Sequence, residues 1–82
     1  MTLLEAFQTA TLCDGLSTTA TTADGQEVGF TVRLIHKQRT AAVTTRGTAL
    51  ADKVKAEASI AGWHAVFGMR ISDTVCDLYV QD

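Results

Sequence analysis

The chain contains no proline. Against a usual content of ~5%, that absence leaves every turn to glycine, aspartate and small polar residues. Cysteine is scarce as well, with only Cys13 and Cys76 present. A small secreted domain stapled by disulfides would carry more, so two reduced, partly buried thiols in a cytoplasmic protein are expected. No apolar run approaches the ~18 residues of a membrane span. The N-terminal MTLLEAFQT lacks the basic-then-apolar order of a signal peptide. Charged residues make up 20% and hydrophobic residues 46% of the chain, a balance that favours folding over disorder. With no repeat and no low-complexity linker, 82 residues make one small domain. A chain of this size buries only about 60–65% of its unfolded surface, which predicts modest stability.

Chemistry-bearing motifs are missing too. Gly25, Gly29, Gly47, Gly62 and Gly68 are scattered and form no phosphate loop. Cys13, Cys76, His36 and His64 show neither C-x2-C nor H-x3-H spacing, so no metal and no cofactor is expected. A domain this small seldom holds a substrate cleft of ~300 Å³ or more. The expectation is therefore a non-enzymatic protein.

What is present is pattern. In EVGFTVRLIHKQRTAAVTTR, residues 27–46, Val28, Phe30, Val32 and Leu34 alternate with Gly29, Thr31 and Arg33. This is the period of a strand with one buried face. Upstream, Thr2 and Glu5 have the spacing of a capping box, and Leu3, Leu4, Phe7 and Ala10 form a helical stripe. A helix is expected at about residues 2–13, ended by Gly15 in the left-handed conformation. LSTTATT, residues 16–22, is β-prone. A three-residue loop Ala23-Asp24-Gly25 places Leu16, Thr18 and Ala20 opposite Val32, Phe30 and Val28. A two-residue loop would set threonines there instead. A four-residue turn over His36–Arg39 then places Leu34, Val32 and Phe30 opposite Ala41, Val43 and Thr45. The other face carries Ser17, Thr19, Thr21, Thr31, Arg33, Thr40, Thr44 and Arg46.

Thr48 caps a second helix whose stripe is Leu50, Val54, Ala58 and Ala61, and Gly62 stops it. Beyond it, Trp63, Ala65, Phe67, Met69 and Ile71 alternate with His64, Val66, Gly68 and Arg70. Residues 63–71 and 74–81 thus read as a second hairpin, pairing Met69 with Cys76, Phe67 with Leu78 and Ala65 with Val80. Phe30 and Phe67 are expected in the core, while Tyr79 and His64 project from the polar side. The fold class is α+β: a two-layer sandwich of order α-β-β-β-α-β-β, its sheet mainly antiparallel and both helices on one face.

The net charge of −2 is unevenly spread. Between Arg33 and Lys55 six cations face a single acid, Asp52, a local balance of +5, whereas the remainder sums to −7. Arg33, Lys37, Arg39, Arg46, Lys53 and Lys55 are the candidate partner-binding residues. Such a basic stretch, joined to a free strand edge, suits an acidic protein surface. A free edge also admits a homodimer. Membrane is not an expected partner. The order α-β-β-β-α over residues 2–61 resembles that of the double-stranded-RNA-binding domain, whose second helix begins with a lysine cluster that grips phosphates. Here that helix carries Lys53 and Lys55 flanked by Asp52 and Glu57, and the first hairpin has no Gly-Pro-x-His. The resemblance implies nucleic acid as the alternative partner. Base-stacking aromatics are not expected on the exposed sheet face. A single 82-residue domain starting at Met1 fits a small accessory protein, such as a phage or plasmid encodes.

Overall fold

A computed structural model describes residues 1–46, 49–72 and 74–82. The elements are α1 (Leu3–Ala10), β1 (Gly15–Thr21), β2 (Glu27–Ile35), β3 (Gln38–Arg46), α2 (Ala49–Ile60), β4 (His64–Arg70) and β5 (Val75–Gln81). All five strands join one sheet in the order β1-β2-β3-β5-β4, and every ladder is antiparallel. The expected α+β order is the one observed. The position of the second hairpin, which no residue pattern revealed, is now given: β5 fills the gap beside β3 and leaves β4 at the edge. β3, α2 and β4 thus form a split unit whose two strands run the same way.

The start of α1 follows from two side chains. Thr2 Oγ1 accepts a hydrogen bond from the Glu5 backbone N–H, and Glu5 Oε1 accepts one from that of Thr2, each at 3.1 Å. Leu3, Ala6, Phe7 and Ala10 form its buried face. The helix stops three residues earlier than expected. Leu12 and Cys13 donate to the Thr9 and Ala10 carbonyls, and Gly15, instead of capping the helix, opens β1 opposite Arg33. Pairing in the sheet supplies partners for backbone groups that another helical turn would have used.

The first hairpin has the expected register, with Leu16, Thr18 and Ala20 opposite Val32, Phe30 and Val28. Gly25 takes φ +90°, as the bulged three-residue loop requires. The β2–β3 hairpin differs. Its loop is only His36-Lys37, so Val32 faces Ala41 and Phe30 faces Val43. The expected four-residue turn was wrong by a slip of two residues, which keeps every side chain on its proper face. Hydrophobic pattern therefore could not distinguish the two. Both loop residues have positive φ, 52° and 66°, as a type I′ turn demands, and neither is the glycine or asparagine that adopts it cheaply. Replacing His36-Lys37 with Asn-Gly is expected to raise stability by about 1 kcal/mol. Thermal denaturation of the double variant at fixed pH checks this.

The capping residues Gly47 and Thr48 and the side chain of Leu50 lie outside the described residues. From Val54 onward the stripe is as expected: Val54 and Ala58 are buried, and the partly buried Ala61 packs against the core. α2 ends in a Schellman motif. Trp63 N–H donates to the Ala58 carbonyl at 2.8 Å and Gly62 N–H to that of Ser59 at 3.1 Å, with Gly62 at φ +85°. The core lies between the helices and one sheet face. Phe7 sits edge-on to Phe30 at 5.1 Å between ring centroids and tilted against Trp63 at 5.4 Å.

Phe67 is not in that core. A bulge between Ala65 and Phe67 shifts the ladder, so Ala65 still faces Val80, but Phe67 faces Tyr79 and Met69 faces Asp77. One extra residue reverses the faces of everything beyond it. Gly68 and Arg70 turn to the helix side, and Phe67 and Met69 to the open side.

Candidate partner-binding edge

The six cations named from the sequence do not gather in one place. Arg33 and Arg46 share the open face, but β3 runs from Thr40, the partner of Arg33, to Arg46 at its far end. Six residues of strand span about 20 Å. Lys37 lies in the hairpin loop. Lys53 and Lys55 belong to α2, in the other layer. Arg39 has the strand parity of Ala41 and Val43, so it lies on the helix side.

Two of these cations are engaged within the molecule. Arg39 Nε donates to the Cys13 carbonyl at 3.2 Å, and its guanidinium pairs with Asp14 at 3.1 Å and Asp82 at 3.5 Å. It ties the α1–β1 connection to the C-terminus. Lys53 pairs with Asp24 of the first loop. Arg33, Lys37, Arg46 and Lys55 have no ion pair among the described residues.

The Lys53 hydrogen bond, followed by that from Thr22, holds the Asp24 carboxyl below the usual range. The Thr2 backbone N–H, followed by its side chain, does the same for Glu5. A pKa that is lower folded than unfolded contributes stability above the unfolded value. That contribution is lost as pH falls through the folded value. Stability is therefore expected to decline with acidification below the ordinary carboxylate range of about pH 4. Urea midpoints of the native chain and of Asp24→Asn across that range check it, the variant showing the shallower decline.

The two edges of the sheet differ. Along β1, the Met1 carbonyl accepts the Thr21 N–H at 3.0 Å and Thr2 bridges to Thr21, so the N-terminus covers one end. Among the described residues β4 has no such cover, and every one of its own residues is exposed. Val66 and Met69 are each 47% exposed, Phe67 51% and Ile71 56%. No proline or lysine interrupts the run, and natural edges are usually blunted by such residues. An apolar edge of this kind is a candidate interaction surface.

Each side of β4 offers something different. On the open side, Phe67 stacks on Tyr79 with centroids 4.6 Å apart and planes 19° from parallel. This partly exposed aromatic pair was not expected, whereas Tyr79 and His64 do lie on the polar side as read. Next to Tyr79 is a shallow polar cradle that includes Thr31, Arg33, Thr44 and Asp77. One oxygen of the Asp77 carboxylate is buried with no hydrogen-bond partner among the described residues. On the helix side, a groove of about 430 Å³ separates α2 from β4. Ala65, Gly68 and Leu78 are among its lining residues, with Lys55 on the α2 side and Arg70 at the end of β4. Both cations are exposed and carry no ion pair among the described residues.

Of these residues the sequence pointed only to Arg33, Lys55, Tyr79 and His64. The one signal for the rest was Val66, an apolar side chain on the face that otherwise carries His64, Gly68 and Arg70. Cys13 and Cys76 are half-buried free thiols. No group of three or more His, Cys, Asp or Glu side chains able to hold a metal occurs among the described residues. Among those residues, too, no helix is long and apolar enough to cross a membrane. No protein-family model matches the chain, and neither a curated protein nor a solved structure does.

Proposed function

We propose that this chain is a small, non-enzymatic protein-binding module that takes its partner on the β4 edge. The observation that carries this reading is an edge strand whose every residue is exposed, its apolar side chains by about half. Such an edge presents unpaired backbone N–H and C=O groups to which an extended segment can add a strand. Phe67 and Tyr79 supply the aromatic contact area that dominates interface energetics. The basic residues act through field and rim contacts, orienting the module toward an acidic protein surface, with Arg33 and Arg46 on the open face and Lys55 and Arg70 beside the groove. Asp77 on the open face and the net charge of −2 weigh against a phosphate backbone as the main partner.

The test compares the native chain with Phe67→Glu/Met69→Glu as immobilised baits in a lysate of the native host. Both positions are half-exposed, so the variant retains the fold, which circular dichroism verifies. A protein retained by the native chain and lost from the variant is the expected result. Equal retention by both overturns the edge as the binding surface. Retention that a nuclease abolishes moves the reading to nucleic acid.

A further inference from the structure

We infer that the segment added to β4 is an extended strand alternating apolar and acidic residues, its acids directed into the α2–β4 groove. This deepens the proposed function and rests on it. The argument is one of two-sided chemistry. A strand paired with β4 directs alternate side chains to the two sides of the sheet. On the open side it meets Phe67, Met69 and the stacked Tyr79, which favour apolar partners. On the helix side it lies along the groove between Lys55 and Arg70, two exposed cations without ion pairs among the described residues. Carboxylates entering there form charge-assisted hydrogen bonds to both. Their alkyl stems cover Ala65 and Gly68, where the small residues leave room.

Charge decides between this occupant and a second copy of the chain. Two β4 strands paired antiparallel about Phe67 would form a joined sheet with the helices of both copies on one side. They would also bring both pairs of Lys55 and Arg70 to the same side of the joined sheet. β4 carries no carboxylate to compensate. A self-paired edge therefore gathers like charge, whereas an acidic strand neutralises it.

The probes are three labelled seven-residue peptides in which valine alternates with glutamate, glutamine or lysine, titrated into the full chain by fluorescence anisotropy. The valine–glutamate peptide is expected to bind most tightly, with each step toward lysine weakening binding by about tenfold. Amide shifts should concentrate at residues 64–70. Lys55→Glu/Arg70→Glu, with both changes at exposed positions, should reverse the order of the three peptides. Equal binding of the glutamate and glutamine peptides overturns the acidic specificity while leaving the edge as a docking site. Loss of all binding, or shifts centred on β1, overturns the proposal. A concentration-dependent doubling of mass that Phe67→Glu/Met69→Glu abolishes assigns the edge to a second copy and overturns it as well.

Discussion

Phe30→Ala is expected to lower stability by ~3–5 kcal/mol, and Phe67→Ala by no more than ~1 kcal/mol. The two phenylalanines occupy similar alternating runs, yet their surroundings differ. Phe30 is 1% exposed and meets the edge of the Phe7 ring. Its removal deletes a large apolar side chain and leaves a cavity bounded by α1 and the sheet, which cannot collapse without moving both. Phe67 is half-exposed, and its one ring contact among the described residues is the stack on Tyr79. Chemical denaturation of both variants measures the difference directly. Since a domain of this kind has only ~5–15 kcal/mol in total, Phe30→Ala places the chain near its limit. Equal losses from the two variants would mean that the bulge in β4 does not exist and that Phe67 points inward.

Trp63→Ala is the second large loss expected, again ~3–5 kcal/mol. Trp63 joins the end of α2 to α1. Its backbone N–H closes the Schellman motif on Ala58, its ring lies against Phe7, and its indole N–H donates to Thr11 Oγ1 at 3.2 Å. The substitution leaves the backbone bond possible but removes the ring that packs beneath it and the donor that meets α1. Trp63→Phe retains most of the apolar volume, and its cost should fall well below that of alanine. Because Trp63 is the only tryptophan in the chain, its emission reports the same event in the native protein. The indole is 2% exposed, so unfolding should shift the emission to the red in step with the far-ultraviolet signal. A red-shifted native spectrum would contradict the burial.

The sequence by itself determined the order of elements, the start of α1, the first hairpin and the end of α2. Each rests on chemistry among near neighbours. Thr2 and Glu5 need only each other, Gly25 and Gly62 need only their own backbone freedom, and Leu16, Thr18 and Ala20 find a single register that puts them opposite apolar partners. The tertiary structure decided what neighbours could not. A slip of two residues in the β2–β3 hairpin leaves every face unchanged, so hydrophobic pattern is silent about it, and the turn at His36-Lys37 selects the register. The bulge beside Val66 reverses the faces of Phe67 and Met69 without changing one residue of the pattern. The cations between Arg33 and Lys55, contiguous in sequence, are divided among two layers because a hairpin loop and a crossover helix intervene. Arg39 and Lys53 are taken up by Asp14, Asp82 and Asp24, which lie far from them in the chain. Finally, β5 inserts between β3 and β4, a choice made by long-range pairing alone, and it is this insertion that leaves an apolar strand at the edge.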